Sequence, residues 1–187
     1  MKKIVACIMS LIVAVSIVLC VTGCGKEEEW VDYSTGKMEY QLPFEWEKGV
    51  EHEFSSTTIT TYVKDDLTLS FSYTDLDAGV LYHIHESAEE IIEPYKNEET
   101  NGDFKYSNYK ELAPVLIDGY KATHFTSQSD TVNPELNNIT EYDESFVCDV
   151  NHGIVHISLS SREKDKLEKL PVKTMKKILS TVSIENE

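Results

Sequence analysis

The sequence has few of the features that build a reaction centre. It contains eight glycines and six histidines, but no glycine-rich phosphate loop, no Gly-x-Ser-x-Gly elbow and no arrangement that suggests a catalytic triad. Nucleophilic catalysis needs a nucleophile held beside its base. We therefore expect that the protein is not an enzyme, with no catalytic residues and no cofactor.

Positive charge is also scarce. There are 17 Lys and Arg residues against 33 Asp and Glu, for a formal net charge of −16. Nucleic acid binding depends on basic residues that neutralise phosphates, so we expect no nucleic acid partner. Seven basic residues are nevertheless concentrated between Arg162 and Lys177. This run is typical of a solvated helix face, although a docking surface for an acidic partner is an alternative.

What the sequence does contain is an apolar N-terminal segment that ends in a cysteine. Lys2 and Lys3 precede the nearly uninterrupted apolar run from Ile4 to Val21, and Thr22-Gly23-Cys24 follows. Basic, apolar and small residues in this order are typical of a cleaved signal peptide. The residues before Cys24 resemble the lipobox of bacterial lipoproteins. An uncleaved membrane helix is the alternative, since the run approaches the length of a span.

The lipobox resemblance implies a diacylglyceryl group on the thiol of Cys24. Two acyl chains hold a protein stably at a bilayer, whereas one holds it marginally. We therefore predict a signal peptide over residues 1–23, an acylated cysteine and acidic tether over 24–35, and a single domain over 36–187. The domain would be lipid-anchored at the extracytoplasmic face of the cell membrane.

Cysteine is too scarce in the mature chain for an internal disulfide framework. Cys7 and Cys20 would leave with the signal peptide, and Cys24 would be acylated, which leaves Cys148 alone. Cys148 alternates with the apolar residues Phe146 and Val150. A small buried hydrophobe is therefore favoured over a nucleophile or metal ligand.

The remaining pattern predicts an α+β domain with an antiparallel β-sheet flanked by helices. Residues 67–74 alternate between apolar and hydroxyl-bearing side chains, as a strand with one buried face does. Asp118-Gly119 and Asn151-His152-Gly153 predict hairpin turns. The spacing of Ser87 and Glu90 predicts a helix N-terminus, and Pro171 predicts the start of the closing helix.

Two groups of residues are candidate binding sites. His83 and His85 would share one face of a strand and could hold a metal ion. Ordinary surface histidines are favoured because no third ligand is evident at a usable spacing, although His152 and His156 could converge from elsewhere. Tyr40, Trp46 and Tyr120 belong to a large aromatic set that could line a groove for a peptide or glycan. The alternative for the aromatic residues is that they cap the ends of strands.

Three local patterns resemble the PsbP-like superfamily. They are Tyr40-Gln41-Leu42-Pro43-Phe44-Glu45-Trp46, the Gly119-Tyr120-Lys121-Ala122 segment, and the ending from Met175 to Ile184. The resemblance covers about residues 36–185. It implies an antiparallel sheet sandwiched by helices, in an α/β/α arrangement, and a non-enzymatic subunit or binding protein. No functional residue carries over from that family.

Taken together, these patterns predict a lipid-anchored extracytoplasmic binding or assembly protein. It would act through a protein or ligand surface, with the membrane as one partner and a protein of the cell envelope as another. Two alternatives remain open. One is a small metal-dependent hydrolase that uses His83, His85 and a nearby carboxylate, and the other is a sensor subunit of a membrane transporter or kinase.

Overall fold

A computed structural model describes residues 29–80, 83–133, 138–170 and 172–185. In these residues every strand pair is antiparallel. A small sheet has the order β1-β2-β12. Its strands are β1 (Trp30–Thr35), β2 (Met38–Pro43) and β12 (Ser183–Ile184).

A large sheet has the order β3-β4-β5-β11-β10-β9-β7-β6, and β8 pairs with the beginning of β9. Its strands are β3 (Glu47–Phe54), β4 (Thr57–Lys64), β5 (Leu67–Asp75), β6 (Thr100–Asn101), β7 (Phe104–Glu111), β8 (Val115–Ile117), β9 (Tyr120–Thr131), β10 (Thr140–Val150) and β11 (Gly153–Ser161). The helices are α1 (Ala88–Lys96), α2 (Lys164–Lys169) and α3 (Val172–Thr181).

The main core lies between the two sheets. Successive side chains of a strand point to opposite faces, so Leu69, Phe71 and Tyr73 of β5 all enter this core, next to Val155 and Ile157 of β11. The small sheet and α3 close it from the other side. On the opposite face of the large sheet, α1 covers a smaller apolar cluster. Helices therefore flank the antiparallel sheet on both faces, which confirms the predicted α+β class.

The structure differs from the sequence-based expectation at the start of the domain. Residues 30–35 form β1 rather than the end of a tether, and Trp30 and Tyr33 pack against the main core. Trp30 is in register with Pro43 of β2. The partial burial of these two large aromatic side chains outweighs the polar composition of the preceding residues.

The predicted helix that ends the domain is present as α3, and only part of its apolar set is buried. Met175, Ile178 and Leu179 are buried, whereas Val172 in the first turn is 68% exposed. The prediction for Cys148 is confirmed, because its side chain lies in the main core and burial raises the pKa of its thiol to about 12.

The predicted signal peptide and Cys24 lie outside the described residues. None of the helices in the described ranges has the length and apolar character that a membrane crossing requires.

Candidate ligand groove

A groove of about 300 Å³ runs between α1 and the face of the large sheet that turns away from the main core. Its floor consists mainly of hydroxyl-bearing and imidazole side chains from three adjacent strands, together with Ile59. Ser72 of β5 is in register with His156 of β11 and with Ile59 of β4, and Ser70 is in register with Ser158. The alternation that buries one face of β5 therefore places its serines in the groove.

Helix α1 and an aromatic pair form the wall of the groove. Ile91, Pro94 and Tyr95 line it from the helix. The ring of Tyr95 lies 4.2 Å from that of Tyr106, centroid to centroid, and 5.2 Å from that of Phe125. Burial is the main reason why the pKa values of both tyrosines are raised. The groove thus combines an aromatic wall with a polar floor.

The position of α1 depends on two side chains that accept hydrogen bonds from its first turn. Oγ of Ser87 accepts from the amide of Glu90 at 3.4 Å, as an N-cap does. Oδ1 of Asp149, on β10, accepts from the amide of Ala88 at 2.7 Å. The second bond ties the helix directly to the sheet below it.

Two histidines line the groove in their neutral form at pH 7. Burial, and to a smaller extent the neighbouring His85, lower the pKa of His156 to about 4. Burial also lowers the pKa of His85, although Glu90 opposes this effect. Nε2 of His156 lies 3.4 Å from Oγ of Ser145. Neutral imidazoles offer one donor and one acceptor each.

None of the described residues that line the groove is an aspartate, glutamate, lysine or arginine. This is unexpected in a chain where charged residues make up 27% of the sequence. Because a desolvated charge is costly to bury without a partner, an uncharged groove favours uncharged ligands with many hydrogen-bonding groups.

The structure separates the two histidines that the sequence paired. Nδ1 of His83 lies 2.8 Å from Oγ of Ser56, whereas His85 lines the groove near His156. Among the described residues there is no group of three or more His, Cys, Asp and Glu side chains that could hold a metal ion. The described residues therefore provide no third ligand for a metal site at His83 and His85.

The structure places the aromatic candidates in or against the main core rather than in this groove. Tyr40 and Trp46 are each only 2% exposed and belong to the main core, so their side chains present little surface to a ligand. Tyr120 is partly buried and packs against the same core. These apolar rings are large enough that packing between the sheets outweighs exposure at a groove.

Sequence reasoning missed Tyr95, Asn101 and Ser158 as groove residues. The signal was present in β5, where Ser70 and Ser72 alternate with apolar residues. A polar strand face is read as solvent-facing by default, and only the position of α1 shows that it forms the floor of a groove.

The comparisons with known proteins give structural likenesses only. No protein-family model matches the chain, and no curated protein matches its sequence. The cyanobacterial PsbP (CyanoP) of Synechocystis sp. PCC 6803 is 15% identical with a TM-score of 0.46, over 87% of this chain and 98% of its own. The Ran-binding protein Mog1p of Saccharomyces cerevisiae is 10% identical with a TM-score of 0.45, over 84% and 96%.

A third solved structure is LpqN of Mycobacterium tuberculosis, described as involved in cell envelope biogenesis. It is 12% identical with a TM-score of 0.41, over 84% of this chain and 91% of its own. These proteins are similar to this chain in backbone fold only, and the similarity carries no information on what this protein binds. The class that its own structure defines is an antiparallel α+β domain with an uncharged groove.

Proposed function

We propose that this protein is a lipid-anchored, extracytoplasmic binding protein that holds a neutral, hydroxyl-rich ligand, an oligosaccharide, in the groove between α1 and the large sheet. The observation that carries the proposal is the absence of charged side chains from the described lining of the groove, in a chain of net charge −16. A cationic ligand would have no carboxylate partner there, and an anionic one no basic partner.

The chemistry of the lining matches a sugar chain. Serine and threonine hydroxyls and neutral imidazoles both donate and accept hydrogen bonds, as sugar hydroxyls do. The rings of Tyr95 and Tyr106 supply apolar surface with a polar tip. Ligand sites commonly combine such an apolar wall with a few placed polar groups.

Isothermal titration calorimetry tests the binding function. The protein is titrated with two neutral oligosaccharides, chitotetraose and maltotetraose, and the heat of binding is measured. Ser72→Leu would fill the floor of the groove between Ile59 and His156, so binding should be lost. Ser34→Leu, at an exposed strand position outside the groove, is the matched control and should bind as the unmodified protein does.

Circular dichroism of both variants would show that the fold is kept. The proposed ligand class would be overturned if the protein bound neither oligosaccharide. It would also be overturned if the Ser72→Leu variant kept its fold and bound them as tightly as the unmodified protein.

The anchor is proposed from the sequence around Cys24. Growth of producing bacteria with labelled palmitate, followed by membrane fractionation, tests it directly. The unmodified chain should carry label and sediment with membranes, and Cys24→Ala should lose both properties. Cys148→Ala is the control, since Cys148 is buried in the core. An unlabelled chain, or a mature N-terminus other than Cys24, would contradict the anchor.

A further inference from the structure

We propose that a surface formed by Phe44, Lys173 and Lys177 rests on the headgroups of an anionic bilayer and fixes the orientation of the domain. We call it the anchor-side surface. This proposal rests on the lipid anchor proposed for Cys24. It concerns what the folded domain does once the anchor has brought it to the membrane.

The chain connectivity places this surface close to the anchor. The amide of Phe44 donates a hydrogen bond to the carbonyl oxygen of Glu29 at 2.8 Å. Glu29 is five residues after Cys24 in the sequence, and a fully extended chain spans at most about 3.6 Å per residue. The backbone of Phe44 therefore lies within roughly 20 Å of the acylated cysteine, whatever the conformation of the intervening residues.

Phe44 supplies the apolar contact. It is 70% exposed, more than any other large hydrophobic side chain in the described ranges. The neighbouring Glu45 is held in a salt bridge with Lys64. Exposed aromatic rings combined with lysines on a neighbouring face are typical of segments that lie in the membrane interface.

Helix α3 supplies the positive charge at the same end of the small sheet. Oγ1 of Thr181, in its last turn, accepts a hydrogen bond from the amide of Gln41 at 2.9 Å. One turn earlier, Nζ of Lys177 lies 3.8 Å from the ring centroid of Trp30. Trp30 is in register with Pro43, so the helix follows β2 towards Phe44.

A further turn back, Lys173 lies on the same face of α3, because residues four apart are neighbours on a helix. Both lysines are exposed. Neither forms a salt bridge with a residue of the described ranges. No carboxylate of the described ranges neutralises them, although Lys177 also contacts the Trp30 ring, and an anionic membrane surface attracts lysines that lie near it.

The negative charge of the chain does not prevent this contact. At physiological ionic strength, charges are screened beyond about 8 Å, so the groups nearest the headgroups decide. Near the anchor, Glu27, Glu28 and Glu29 repel an anionic surface, while Lys26 and the two lysines of α3 balance them. The charges of these three glutamates and three lysines sum to zero, so burial of Phe44 can favour contact.

The experiment uses the full acylated chain in vesicles made of phosphatidylglycerol and dibrominated phosphatidylcholine, which quench tryptophan at the interface. The signal of the new tryptophan is the difference between the fluorescence of Phe44→Trp and that of the unmodified chain. This signal should be quenched, and its emission maximum should be shifted to the blue. Phe54→Trp is the matched control, because Phe54 is 51% exposed and lies at the far end of β3. At about 3.3 Å per residue, Phe54 is roughly 23 Å along the strand from Glu47, the residue at which β3 begins. The new tryptophan of this control should not be quenched.

Reversal of the two charges, Lys173→Glu with Lys177→Glu, should weaken the quenching of Phe44→Trp, and replacement of phosphatidylglycerol by neutral lipid should do the same. Equal quenching at Phe44 and Phe54, or quenching that neither change reduces, would overturn the proposal. Mass spectrometry of the N-terminus keeps the two proposals apart. An acylated chain without quenching contradicts the orientation alone, whereas an unmodified Cys24 contradicts the anchor itself.

Discussion

The phenolic oxygen of Tyr40, on the small sheet, lies 2.9 Å from that of Tyr62, on the large sheet. Oγ1 of Thr35 lies 2.7 Å from the same Tyr40 oxygen, so three buried hydroxyls form a chain across the core. The ring of Tyr40 also stacks on Phe71, with centroids 3.7 Å apart. The two sheets are therefore joined by polar contacts as well as by apolar packing.

Removal of the central hydroxyl of this chain should destabilise the protein more than removal of the terminal one. Tyr40→Phe leaves the hydroxyls of Thr35 and Tyr62 each without their partner, whereas Tyr62→Phe leaves only one contact unmade. An unsatisfied buried hydroxyl costs about 1–3 kcal/mol. Urea unfolding should therefore give the larger loss for Tyr40→Phe. Equal losses of unfolding free energy in the two variants would contradict the central role of the Tyr40 hydroxyl in this hydrogen-bonded series.

A second prediction concerns the attachment of α1, which forms the groove wall. Asp149→Ala removes the acceptor for the amide of Ala88 and should lower the free energy of unfolding by about 0.5–2 kcal/mol, as loss of a helix cap does. Asp149→Asn keeps an oxygen acceptor and should lose less. Chemical denaturation measures both variants, and an Asn variant as unstable as the Ala variant would contradict this role.

A third prediction uses two glycines. A Cβ atom at Gly153 would lie 2.6 Å from the carbonyl oxygen of Thr74 and 2.7 Å from the hydroxyl of Tyr73, whereas one at Gly79 would meet nothing within 4 Å. Gly153→Ala should therefore cost about 1–3 kcal/mol, the usual cost of overpacking. Gly79→Ala, the control, should leave the melting temperature nearly unchanged. A stable Gly153→Ala variant would show that β5 and β11 can separate locally.

Much of the fold follows from local sequence patterns. The alternation in β5, the hairpin at Asp118-Gly119 and the cap at Ser87 each predict an element that the structure contains. Asp118 and Gly119 both have positive φ, which suits the tight hairpin turn that such a pair predicts. These signals succeed because they arise from neighbours along the chain.

The elements that sequence reasoning missed are held by distant partners. All residues of β3 are exposed, so it has no apolar alternation to reveal it. It is fixed instead by pairing with β4, and Oγ1 of Thr61 accepts from the amide of Val50 at 2.9 Å. The groove was missed for a related reason, since its floor and wall come from segments that only the fold brings together.

The last prediction concerns pH and a carboxyl group on β10. Burial, and then the neighbouring Glu141, raise the pKa of Asp143 to about 7, although a hydrogen bond from Ser129 opposes the shift. The folded state therefore holds the Asp143 proton more tightly than the unfolded state, whose carboxyl titrates near pH 4. The stability that the protonated group contributes is complete below about pH 4 and is lost as the pH rises through about 7.

Asp143→Asn removes this titration while it keeps the size of the side chain. The variant should therefore gain stability relative to the unmodified protein as the pH rises from about 4 to 7. Melting temperatures of both proteins at several pH values measure the difference. Glu53→Gln, on the exposed strand β3, is the matched control and should show a smaller change with pH. A constant difference between Asp143→Asn and the unmodified protein across this range would contradict the raised pKa, because the Asp143 carboxyl would then titrate alike in the folded and unfolded states.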